Sequence, residues 1–252
     1  MTFDERLTTP DASGPTRAAP SIADRATALI EVLVCSDYPT QFALATLFGA
    51  LGFRPFDAHG TLQVGYVVWL SLLDACLLVG LIVALLAAHG ERPSEVFFGG
   101  RPAARELSTG VPMIVIALGL GIAVLAPIQH FAPWLHTVPH NPLEALMRSP
   151  RNALLFAGVV IVAGGIREEV QRAFILHRFE QSLGGGAIGV VLSSAAFGAG
   201  HLLQGADAAI ATGVLGAFWG IVYLRRRSIL APMVSHAGFD LLQIAQALAM
   251  GY

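Results

Sequence analysis

Three short clusters of polar residues interrupt the apolar second half of this sequence: Glu168-Glu169 with Arg172, Phe197 with His201, and His236 with Asp240. Two carboxylates and two imidazoles are what peptide-bond hydrolysis calls for. A glutamate removed from water accepts a proton from a water molecule near neutral pH more readily than an exposed one. A neutral histidine orients that water or donates to a developing oxyanion. The forked guanidinium of Arg172 suits holding a carboxylate in place. Glu168 and Arg172, Phe197 and His201, and His236 and Asp240 are each four residues apart, so each pair shares one helix face. Glu169 lies about 100° round the helix from Glu168.

The surroundings of these groups give them weight. The chain has 252 residues, of which 55% are apolar and 13% charged, with 15 arginines, no lysine and a formal net charge of −2. Its mean hydropathy is positive. This excludes a disordered chain, disfavours a water-soluble globule, and leaves no basic footprint for nucleic acid. Cys35 and Cys76 cannot build a disulfide scaffold and read as small buried hydrophobes. The remaining class is an all-α, polytopic transmembrane helix bundle.

Residues 1–25 read as a disordered cytosolic tail, and 26–252 as one membrane-embedded domain. Apolar runs mark seven candidate spans: 26–53, 62–88, 111–128, 152–166, 187–203, 208–224 and 229–250. The count is six if the first, interrupted by Glu31, Asp37 and Pro39, only lies on the surface. The fourth continues without a breaker into Arg167–Phe179, and Gly184–Gly186 ends it. With the N-terminus in the cytoplasm, Arg6, Arg17, Arg25, Arg92, Arg101, Arg105, Arg178 and Arg225–Arg227 fall on that side. Arg54, Arg148 and Arg151 fall outside, a clear positive-inside bias.

Titratable groups within a bilayer cost several kcal/mol and are retained mainly for function or helix pairing. Taken singly, each of the six polar groups reads as a clamp between helices. Together, on three spans in the region 150–252, they read as a reactive site.

The series Glu168-Glu169…Arg172, Phe197-Gly-Ala-Gly-His201 and His236-Ala-Gly-Phe-Asp240 resembles the CAAX-protease and bacteriocin-processing (CPBP, or Abi) family of intramembrane endopeptidases. That family shows Glu-Glu-x-x-x-Arg, Phe-x-x-x-His and His-x-x-x-Asn/Asp, in this order, on separate spans. The resemblance implies a membrane helix bundle whose cavity opens toward the cytoplasmic leaflet. It implies cleavage of peptide or protein substrates, prenylated or not, and a bacterial inner membrane. Carried over, Glu168 activates water with His201 assisting, and His236 and Asp240 stabilise the oxyanion. Arg172 stands one residue closer to the glutamate pair than the family pattern has it. Anchoring on the pair makes Glu168 the base; anchoring on Arg172 shifts the roles by one residue, so the choice between Glu168 and Glu169 stays open. The expectation is a glutamate-activated water without a metal, with zinc as the alternative. A non-catalytic scaffold or chaperone with a protease-like fold is the competing function.

Other polar residues receive plainer readings. His130, His136 and His140 are spaced irregularly around prolines and read as exposed loop histidines rather than a metal cluster. Asp74, mid-span, either faces the site or bonds another helix. Pro232 is expected to kink the last helix.

Overall fold

The first apolar run is not one helix. A computed structural model describes residues 19–139, 141–147 and 149–250. In it, α1 (Ile22–Val34) and α2 (Tyr38–Ala50) are separated by a turn at Cys35–Asp37. Ser21 starts α1 inside the stretch expected to be tail: its hydroxyl accepts the Asp24 N–H at 3.1 Å, and the Asp24 carboxylate accepts the Ser21 N–H at 2.8 Å. Asp37, with φ +78°, turns the chain, and Pro39 fits the first turn of α2, where no amide partner is needed. The expected tail residues 1–18 lie outside the described residues.

The chain continues through α3 (Val64–Ala88), α4 (Pro93–Phe98) and α5 (Ala103–Phe131), then a loop containing short 3₁₀ turns. It resumes with α6 (Pro150–Val159), a π-helical segment (Val160–Arg167), α7 (Glu168–Ser182), α8 (Gly186–Gly200), α9 (Ala206–Arg226) and α10 (Leu230–Met250). The expected all-helical bundle is met. Among the described residues, α3, α5 and α9, of 25, 29 and 21 residues, are long and apolar enough to cross a bilayer by length and composition. The sequence counts six or seven. The difference falls on the broken α1–α2 pair and on the elements that carry polar groups or divide around them. The expected span at 152–166 is split between α6 and the π-helical segment, and α8 stops after 15 residues, just before His201.

Three smaller expectations change. α5 extends well beyond 111–128, so Pro112 and Pro127 lie within it rather than at its ends. Pro232 falls in the first turn of α10, where it displaces no intrahelical hydrogen bond and has no kink to cause. Cys35 is fully buried, but Cys76 lies on the exposed face of α3.

Helices α5 and α10 pack along each other, as do α8 and α9. At the second contact a Cβ on Gly198 would stand 2.6 Å from the Ala209 carbonyl oxygen, so only a bare backbone permits the approach. A core of Leu78, Ile82, Leu86, Phe174, Leu176 and Tyr223 joins α3, α7 and α9. One end of the bundle gathers the arginines that the sequence places on one side. Arg226 forks onto the buried Glu106 at 2.7 and 2.8 Å. Arg227 pairs with Glu180, and Arg178 reaches Glu31 of α1 and Glu91 after α3, each at 2.5 Å. Burial alone would push the Glu91 carboxyl up, but hydrogen bonds from Arg178, Gln181 and His177 and the charge of Arg178 outweigh it and hold it down at about 2.

Candidate active site

The polypeptide reaches the glutamate pair through the π-helical segment. The Glu168 N–H donates to the Ala163 carbonyl, five residues back, so one extra residue is wound into this turn. π-Helical turns are rare and gather at functional sites. The segment contains Gly164-Gly165, and both glycines face α10. A Cβ on Gly164 would lie 2.7 Å from Asp240 Oδ2, and one on Gly165 would lie 2.8 Å from the Ala237 Cβ. The bare backbone thus lets α10 bring His236 and Asp240 against the start of α7.

The two glutamates occupy different environments. Glu169 is 1% exposed and closed in on both sides. It pairs with Arg172, three residues on, and its Oε1 lies 2.8 Å from His236 Nδ1. The spacing argument pairs Arg172 with Glu168; the structure pairs it with Glu169, one helical step round. Glu168 is only partly buried and lines a cavity of about 690 Å³. Its Oε2 lies 3.7 Å from His236 Nε2, which in turn lies 3.8 Å from Asp240 Oδ2. Glu168, His236 and Asp240 therefore converge, while Glu169 holds the far side of the His236 ring. With Nδ1–H donated to Glu169, Nε2 is the edge that faces the other two carboxylates.

His201 stands at the C-terminal cap of α8, and its Nδ1 shares a 2.8 Å hydrogen bond with the Phe197 carbonyl. No direct hydrogen bond joins it to Glu168 or Glu169 among the described residues. It shares the cavity wall with Glu168, Arg172 and Phe197. The Phe197 ring packs edgewise on His201 and His236, with centroids 4.8 and 6.1 Å apart, and lies under the Arg172 guanidinium. The rest of the cavity is largely apolar: Leu29 and Leu33 of α1, Phe42 of α2, Ile175 of α7 and Leu192 of α8 contribute.

Sequence reasoning missed three contributors, Trp219, Arg167 and Asp37. Trp219 of α9 lies flat on His236 and donates Nε1–H to Ser235 Oγ at 3.1 Å. Arg167 is buried and pairs with Glu168, Asp37 and Asp74. The available signal was charge itself: an arginine and two aspartates within apolar segments must find one another. Asp74 thus settles onto Arg167 rather than onto the histidines. Among the loop histidines, His136 is fixed by Asp207 at 2.8 Å, His130 packs on Phe131, and His140 lies outside the described residues. Among the described residues no three His, Cys, Asp or Glu side chains are arranged to hold one metal ion.

Residues 150–242, which carry all three clusters, match the family model Rce1-like, described as Type II CAAX prenyl endopeptidase Rce1-like. Over this stretch the chain is similar to the Rce1-like family. The resemblance drawn from the three motifs is thereby met. The match runs from the start of α6 into α10, so helices α1 to α5 lie outside it. The matched family is described as a prenyl endopeptidase, a peptide hydrolase. No curated protein and no solved structure matches the chain.

Proposed function

We propose that the protein is an intramembrane endopeptidase in which Glu168 activates the attacking water. The observation that carries this reading is the difference between the two glutamates. Glu168 opens onto the cavity while its Oε2 lies 3.7 Å from His236 Nε2, which is itself 3.8 Å from Asp240, whereas Glu169 is sealed between Arg172 and His236. A base must reach solvent and substrate; a carboxylate locked by two partners serves better to orient them.

In this mechanism Glu168 takes a proton from a cavity water as its oxygen attacks the scissile carbonyl carbon. His201, on the same wall, orients that water. The carbonyl oxygen becomes an oxyanion, and His236, in its imidazolium form, donates Nε2–H to it while Glu169 fixes the ring from Nδ1. Asp240 steadies that edge of the imidazole. Collapse of the tetrahedral intermediate breaks the C–N bond, and Glu168 returns its proton to the leaving amine. No step requires a metal.

Following the description of the matched family, we take the substrate to be a CAAX-type protein or peptide bearing a prenyl chain. The apolar lining of the cavity suits such a chain. We take the arginine-bearing end of the bundle as cytoplasmic, following the positive-inside bias. The test is cleavage of an internally quenched peptide ending in a CAAX sequence, with and without a farnesyl group on its cysteine, by the purified protein in detergent. Cleavage of the farnesylated peptide, at higher kcat/KM than the bare one, is the expected result. Cleavage of neither, by protein that is folded, favours the scaffold function instead.

A further inference from the structure

The Rce1-like match ends short of α2 and α3, yet both helices reach the reactive carboxylate through one side chain. Arg167 is the last residue of the π-helical segment, and its side chain is 6% exposed. Its Nη2 donates to Glu168 Oε1 at 3.0 Å. Its Nη1 pairs with Asp37 Oδ1 at the N-terminus of α2 and stands 3.3 Å from Asp74 Oδ2 of α3. Asp74 is itself 1% exposed.

We infer that Arg167, held from behind by Asp37 and Asp74, is a positioning residue that fixes the Glu168 carboxylate for catalysis. The inference rests on Glu168 being the base. The two oxygens of Glu168 are used differently. Oε1 is taken by Arg167, which leaves Oε2 turned toward His236 Nε2. An untethered carboxylate at the cavity wall would rotate about its last torsion and lose that direction. A guanidinium held only by Glu168 would move with it. Two aspartates on its far side, Asp74 buried and Asp37 partly buried, turn it into a fixed support and balance a charge that would otherwise be stranded in the bilayer.

The backbone at Asp37 supports this reading. A non-glycine residue at φ +78° is strained and persists where its surroundings impose it. Asp37 sits at the break between α1 and α2, and the break is pinned on its other side, since Tyr38 Oη donates to the Ala196 carbonyl of α8 at 2.8 Å. The same few residues thereby fix α2 to the strand of contacts that holds Glu168 and to the helix that ends at His201. A continuous helix through 35–37 would carry Asp37 away from Arg167. The break is thus part of the site.

The test measures kcat and KM of the full-length protein on the quenched farnesylated peptide. Arg167→Lys retains charge but not the fork, and kcat should fall roughly 10²-fold with KM within about twofold. Asp74→Asn should lower kcat roughly tenfold, again with KM unchanged. Because Arg167 lines the cavity, added guanidinium should restore kcat of Arg167→Ala at least roughly tenfold, which a purely structural role does not allow. Wild-type kcat in Arg167→Lys and Arg167→Ala overturns the inference. So does activity lost in parallel with melting temperature and not restored by guanidinium. Glu168→Gln separates the two levels. If it is inactive while the Arg167 variants are active, only the positioning role falls; if it is active, the assignment of the base falls first.

Discussion

The imidazole of His236 lies on the indole of Trp219 with centroids 3.8 Å apart and planes 18° from parallel. This stack, with the Glu169 contact at Nδ1, fixes the ring in two dimensions: the indole sets its plane and the carboxylate its rotation. Trp219 is 1% exposed and is itself oriented through Ser235. Replacing Trp219 by Leu keeps an apolar filler but frees the imidazole plane, so kcat should drop on the order of 10²-fold. Trp219→Phe keeps an aromatic face and loses the Ser235 hydrogen bond, a loss of about 1 kcal/mol, and should fall between. Steady-state kinetics on the quenched peptide distinguish these; equal activity in all three proteins would show that the stack does not orient the histidine.

Gly164 separates the π-helical turn from Asp240 by no more than a hydrogen's room. Gly164→Ala should displace the Asp240 carboxylate and lower cleavage, whereas Gly158→Ala, with open space at its Cβ, should leave it unchanged. Activity of the Gly164 variant equal to that of the Gly158 variant would mean that the close approach is irrelevant to the site.

At the arginine-bearing end, Glu91 is held down at about 2 against an ordinary value of 4.5. A depressed carboxyl contributes stability that is fully present above its unfolded value and is lost as the pH falls toward the folded one. The melting temperature in detergent should therefore decline between pH 4.5 and about 2, and Glu91→Gln should flatten part of that decline. An unaltered slope in the variant would show that the Arg178 network does not stabilise the fold.

Chelation tests the metal question. With water activated by a carboxylate, cleavage should survive 1,10-phenanthroline and EDTA, and the purified protein should carry no stoichiometric zinc. Activity lost on chelation and restored by zinc would overturn the metal-free mechanism in favour of zinc.

The sequence revealed the helical class and the three clusters because intramembrane charge is rare enough to stand out against an apolar background. It also named Gly184–Gly186 as a break and Asp37 among three interruptions of the first apolar run, and φ is positive at Asp37, Gly184 and Gly185. It did not reveal the π-helical turn, since Val160–Arg167 carries the same apolar pattern as an ordinary helix and only the hydrogen-bond register differs. That one extra residue rephases α7 against α6. The pairing of Arg172 with Glu169 escaped for a related reason: spacings of three and four residues both bring side chains together, and tertiary contacts choose between them. Trp219 carries no charge and belongs to no motif, so nothing in one sequence distinguishes it from a core aromatic.

Which glutamate takes the proton decides between the two possible bases. Glu168→Gln preserves shape and removes the acceptor, so cleavage should fall on the order of 10²–10⁴-fold in protein that inserts and purifies normally. Glu169→Gln weakens the grip on His236 and Arg172 and should leave measurable, reduced turnover. The decisive measurement is the pair of kcat values for these two variants on the farnesylated quenched peptide. Loss of cleavage in Glu168→Gln with reduced but measurable turnover in Glu169→Gln is the predicted result; full activity in Glu168→Gln with loss in Glu169→Gln, or full activity in both, would contradict it.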